Sequence, residues 1–231
     1  MLIAIIVIVQ HTDKMTLIVN VKDSELKAVV LSKFDFLLKL FNFDPNCIAP
    51  NKIEVNILDS IDKFLEVYKR EYNHTPPEYV VGFAASNGRV FVLHKELFEK
   101  RGHPNTEFEN VLVHELCHIF VRRILDPKHT FRWIEEGLCQ YIAFKGTEFK
   151  VKKFVSFREL ESREDWEKNQ AYQQSAKFFE FLDKEFGMNK IISFIKKIKL
   201  MEEYKAFKEV FGEFELIQEE FIKFLKVANG N

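Results

Sequence analysis

His114, Glu115 and His118 sit together in the run His114-Glu115-Leu116-Cys117-His118. Four residues is close to one turn of a helix, so the two imidazoles stack on one face and can close on a single metal ion. Glu115 lies on the flank of that face, near enough to reach a water beside the ion. Two histidines with an adjacent glutamate at this spacing form half of a zinc hydrolase site, in which the carboxylate handles protons.

The pentapeptide works only on a helix, and its surroundings predict one over Val111 to Ile124. Thr106-Glu107-Phe108-Glu109 fits a capping box, with Thr106 as N-cap and Glu109 reaching back. Pro104 and Asn105 form a turn ahead of it. Asp126-Pro127 stops the helix, because the residue before proline avoids helical dihedrals. Phe108, Val111, Leu112, Leu116, Ile119 and Phe120 supply apolar positions at helical spacing.

A third ligand is sought in Trp133-Ile134-Glu135-Glu136-Gly137-Leu138-Cys139-Gln140-Tyr141. Seventeen residues separate His118 from Glu136, enough to end one helix, turn and begin another. A carboxylate from this segment completes a His-His-Glu set and leaves a fourth position for water. The segment resembles the W-x-x-E-G-x-A-x-Y run of the gluzincin metallopeptidases, including the aminopeptidase N family. The resemblance makes Glu136, the glutamate before the glycine, the third ligand and Zn²⁺ the cofactor. Glu135 is then expected to be solvated.

Ala171-Tyr172-Gln173-Gln174-Ser175-Ala176 is similar to the helix that follows the zinc ligands in the same superfamily. The match implies that Tyr172 stabilises the tetrahedral oxyanion; His129 is held in reserve for that role. Thermolysin-like relatives carry an acid four positions after the third ligand, whereas this chain has Gln140. The resemblance spans residues 80 to 200 and implies a zincin-like fold acting on peptide or protein substrates. It also implies an edge strand that pairs with substrate backbone, for which Val90 to Leu93 is the candidate. The aminopeptidase N family uses a G-x-M-E-N run whose glutamate holds the substrate amine. The comparable stretch, Gly82-Phe83-Ala84-Ala85-Ser86, has no acid, which favours an endopeptidase. Three rivals remain: an inactive scaffold that binds partners, a latent enzyme whose N-terminus or Val227–Asn231 tail fills the cleft, and a zinc hydrolase of non-peptide amides or esters.

Composition sets limits around this reading. The chain has 231 residues, 47% of them hydrophobic, which suffices for one sizeable core or two small lobes. Its 34 basic and 35 acidic residues give a net charge of −1, which points to neither nucleic acid nor an anionic membrane. Cys47, Cys117 and Cys139 are too few and too irregular for a disulfide framework and fit a reducing cytoplasm. Cys117 and Cys139 read as small core residues. Leu2 to Val9 is too short to span a bilayer and reads as a strand rather than a signal peptide.

The remaining elements order themselves around the motif. Thr16 to Val21 and Ile53 to Leu58 read as strands. Ser24 to Phe43 and Ser60 to Tyr72 read as helices. Tyr79 to Ala85 and Arg89 to His94 form a hairpin about Asn87-Gly88, both of which tolerate positive φ. From Phe131 onward the pattern predicts helices at 131–145, 169–186, 188–199, 201–211 and 214–227, with an extended piece near Phe154 to Phe157. Gly187 and Gly212 serve as stops. The expected architecture is α+β: an N-terminal lobe, residues 1–126, with a small mixed sheet and the metal helix, and a helical lobe, residues 127–231. Together they are expected to make one catalytic unit.

Overall fold

Five strands and eight α-helices make up the described part of this computed structural model, which covers residues 9–12, 15–42, 52–125, 131–151, 154–160, 166 and 168–228. The chain is α+β and divides into two compact units, residues 1–120 and 121–231. The calls on Leu2 to Ile8, Cys47, Asp126-Pro127, His129 and the last three residues fall outside the described residues.

The first unit is built on a mixed sheet. Its strands are β1 (Val9–Thr12), β2 (Met15–Asn20), β3 (Lys52–Leu58), β4 (Gly82–Ala84) and β5 (Arg89–Leu93), in the order β1-β2-β3-β5-β4. β2, β3 and β5 run parallel, while β1 and β4 pair antiparallel at the two ends. Side chains alternate across the pleat, so register decides which residues share a face. Val19, Val55 and Val90 stand in one row and Leu17 and Ile53 in another, all fully buried. The opposite face carries the row Asn20, Asn56, Phe91 and Phe83.

Three helices accompany this sheet: α1 (Ser24–Leu40), α2 (Ile61–Tyr72) and α3 (Phe108–Ile124). The Asp23 carboxylate caps α1 by accepting from the backbone N–H groups of Glu25 and Leu26. Phe34 and Phe41 pack on Phe120 of α3, with ring centroids 5.6 and 5.7 Å away. Ser60 caps α2, which ends at Asn73 in the left-handed region at φ 60°. Phe64, Tyr68 and Tyr72 of α2 surround Phe83. Each such side chain withdrawn from water contributes about 1.5–3 kcal/mol before entropy is set against it.

The hairpin forms where expected, but with a different turn. Gly88 N–H donates to Ala85 O and Ala85 N–H to Arg89 O, a three-residue loop with Gly88 at φ 83°. Asn87 keeps a negative φ. The extra residue lets an ordinary turn precede one left-handed glycine. The sheet also corrects the edge strand. β5 is paired on both sides, by β3 and β4, so Val90 to Leu93 is interior and Gly82–Ala84 is the edge. The parallel pairing of β5 with β3 spans five residues and occupies the side that strand addition would need.

The second unit is helical: α4 (Arg132–Ala143), α5 (Ala171–Phe186), α6 (Met188–Ile198), α7 (Glu203–Phe211) and α8 (Phe214–Ala228). Trp133 lies at its centre, stacked on Phe157 at 4.9 Å and ringed by Phe178, Phe179, Phe194 and Phe207. This cluster absorbs much of the chain's unusual phenylalanine content. The extended piece at Phe154 to Phe157 is pinned by a buried side chain rather than a strand. The Gln174 amide accepts from Val155 N–H and donates to Val155 O, as a neighbouring strand would. Gly187 and Gly212 take φ of 83° and 105° at the helix ends, where a side chain would be strained.

Candidate metal centre

Helix α3 carries the first two ligand candidates. It is apolar on nearly all sides, with Leu112, Leu116, Cys117 and Phe120 fully buried, so packing fixes it firmly. Its start differs from the expected capping box. Asn105–Glu107 forms a 3₁₀ turn, itself without a side-chain cap, that runs directly into the helix. Glu109, the residue expected to reach back, instead pairs with Lys33 Nζ of α1 at 2.6 Å, and Glu107 pairs with His103 Nδ1 at 2.8 Å.

The histidine pair has the expected geometry. His118 is 4% exposed and His114 half-buried, with the two Nε2 atoms 3.0 Å apart. One ligand atom from each of His114, His118 and Glu136 lies within 4.8 Å of the others. Two nitrogens about 2.0–2.1 Å from a tetrahedral ion stand about 3.3 Å apart, so the imidazole pair needs only a small adjustment to share an ion. Two nitrogens and a carboxylate oxygen make a donor set that zinc accepts.

Glu135 departs from expectation. It is 6% exposed rather than solvated, and its carboxylate accepts from Arg122 Nε at 2.6 Å. A buried carboxylate needs a charged partner, and Arg122 in the last turn of α3 supplies it. Of the adjacent glutamates, one is held by an arginine and the other belongs to the histidine group. No local signal joins Arg122 to Glu135, thirteen residues apart, so sequence reading missed this pair.

Glu115 is half-buried beside its ligand neighbours. A Cβ on Gly82 would stand 3.1 Å from Glu115 Cγ and 2.8 Å from Val111 Cγ1. The edge strand β4 therefore passes directly against the helix at this glutamate, and only glycine permits that approach. Gly82 carried no assigned role in the sequence; its contact with α3 emerges from the fold.

Tyr172 stands at the second position of α5, where its hydroxyl oxygen accepts from Arg132 Nη2 and its ring meets Trp166 edge-on at 5.3 Å. Cys117 and Cys139 are buried and form no disulfide, as expected of small core residues, and neither joins the ligand group. Among the described residues, no helix is long and apolar enough to cross a membrane.

Against this geometry, the family described as BSP, peptidase of plants and bacteria, matches residues 19–220. The match covers most of the chain, both histidines and both glutamates of the α4 segment, and the protein belongs to this family. A peptidase family implies a hydrolase acting on peptides or proteins. No curated protein matches the chain in sequence.

Proposed function

We propose that the protein is a zinc-dependent peptidase of the gluzincin type, and that it cuts within peptide chains. The observation that carries the reading is the convergence of His114, His118 and Glu136 in a chain that belongs to a peptidase family. These three residues would hold the ion. A bound Zn²⁺ would supply Lewis acidity, lowering the pKa of water and polarising a carbonyl.

The chain's own groups divide the remaining work. Glu115 accepts a proton from the attacking water and delivers it to the leaving amine. Tyr172 offers a hydroxyl donor to the developing oxyanion, and Arg132 fixes that hydroxyl's position. Arg122 holds Glu135 away from the ligand set. β4 is an edge of the sheet, with Ala84 O already accepting from the Tyr72 hydroxyl, and its run Gly82 to Ser86 has no acid to hold a free amine, which supports internal cleavage. The lobes 1–126 and 127–231, a zincin-like arrangement and a cytoplasmic setting belong to the same proposal, the last supported by two buried cysteines that form no disulfide.

Metal analysis of purified protein tests the ligand assignment. The reading expects one zinc per chain, lost in Glu136→Ala and kept in Glu135→Gln. Equal zinc in wild type and Glu136→Ala would overturn it.

A further inference from the structure

The helical unit contains a cavity of about 370 Å³, whose lining includes Arg132, Trp133, Arg158, Trp166, Glu203 and Tyr204. Three features make it a built site. Trp133 is 5% exposed, yet its indole N–H is buried with no hydrogen-bond partner. Leaving such a donor unmet is unfavourable, so it calls for an acceptor. The half-buried Arg132 guanidinium lies 4.9 Å over the Trp166 ring and donates to the Tyr172 hydroxyl, with no carboxylate partner among the described residues. A guanidinium carries five N–H donors, so most of its capacity remains. Arg158 stacks 4.2 Å over Tyr204, with Glu215 at 3.0 Å on its exposed side.

The one acid in the lining holds its proton below neutral pH and does not cancel these charges there. Glu203 is 9% exposed, and burial, with Glu202 alongside, pushes its carboxyl up to about 7. In its protonated form it is a further donor. The cavity thus presents donors and positive charge between aromatic walls.

We propose that this cavity binds an organic carboxylate with an apolar body, received by Arg132 and the Trp133 indole N–H. A peptide C-terminus with a large apolar last residue and a free arylalkyl acid share this chemistry. The site shares Arg132 with the proposed oxyanion group, but its test reads binding and does not depend on peptidase activity.

The chain's two tryptophans, Trp133 and Trp166, both line the cavity, so intrinsic fluorescence reports occupancy directly. The experiment titrates purified protein with N-acetyl-phenylalanine, its C-terminal amide and 3-phenylpropionate, with calorimetry as a second readout. The free acid is expected to give a saturable change, and the amide to bind roughly tenfold or more weaker, as loss of a charge-assisted bond implies. Arg132→Gln keeps a donor for Tyr172 but loses the charge, and is expected to weaken the acid by a similar factor. Trp133→Phe removes only the N–H and is expected to weaken it severalfold, read by calorimetry. Phenylpropionate binding as well as the acetylated amino acid assigns the pocket to free arylalkyl acids; much weaker binding assigns it to a chain terminus. Equal affinity for acid and amide, unchanged affinity in both variants, or no heat and no fluorescence change would overturn the proposal.

Discussion

Arg122 Nε and the Glu135 carboxylate lie 2.6 Å apart, and this ion pair separates two adjacent glutamates that sequence alone leaves nearly equivalent. Glu135 is a structural acid. Glu136 is the acid within reach of the histidines. Substitution should therefore split the two cleanly. Glu135→Gln strands a half-buried arginine and is expected to cost about 1–3 kcal/mol of stability while keeping metal. Glu136→Gln is expected to lose metal with a smaller change in the protein's intrinsic stability. Thermal unfolding of metal-free protein and metal stoichiometry measured side by side check both.

Gly82 tests how Glu115 is positioned. A Cβ there would meet Val111 Cγ1 at 2.8 Å and Glu115 Cγ at 3.1 Å, so one of them must shift. Gly82→Ala is expected to lower peptidase activity at least tenfold, because a displacement of the base of about 1 Å costs that much or more. Metal content should stay at the wild-type level, since neither histidine is touched. Loss of metal in this variant would mean that the strand supports the helix rather than the glutamate.

Much of this arrangement was legible because it rests on local patterns. The helical segments after Phe131 follow from apolar spacing and from glycines at 187 and 212, and the structure puts boundaries within two residues of those expected. The histidine pair also follows from local spacing, because one turn of a helix fixes it. What the sequence hid depends on distant partners. The Glu135 partner lies on another helix. The edge strand depends on which of two hairpin arms pairs with β3, and periodicity in the arms is the same either way. Thr106 and Glu109 fit a capping box, but Glu109 finds its partner in Lys33 on α1, far away in the sequence.

Gly137 marks the tight approach of α4 and α5. A Cβ at this position would lie 2.6 Å from Ser175 Cβ and 3.0 Å from Phe179 Cδ2. The neighbours include main chain and a fully buried ring, so little can yield. Gly137→Ala is expected to destabilise by about 1–3 kcal/mol in spite of alanine's better helix propensity. A denaturant midpoint shifted downward with unchanged slope would verify it.

Glu203 makes stability depend on pH in a defined window. Its carboxyl is raised from 4.5 to about 7, chiefly by burial. Below the lower value it is protonated in both folded and unfolded chains and contributes no slope. Between the two values the folded chain holds a proton that the unfolded chain has released, so stability falls as pH rises. Well above 7 the loss is complete, on the order of 3 kcal/mol at most and less with solvent screening. Glu203→Gln should remove this decline, so that variant and wild type diverge progressively from pH 4.5 to 7 in urea unfolding.

The most direct test of the central claim is cleavage of a peptide library with blocked and free N-termini by zinc-loaded protein, with Glu115→Gln as the matched control. The account predicts internal cuts in blocked peptides. It also predicts a drop of about 10²–10⁴ in rate for the variant, which should retain its zinc. Cleavage at the wild-type rate by zinc-loaded Glu115→Gln, or removal of first residues only from free peptides, would contradict it.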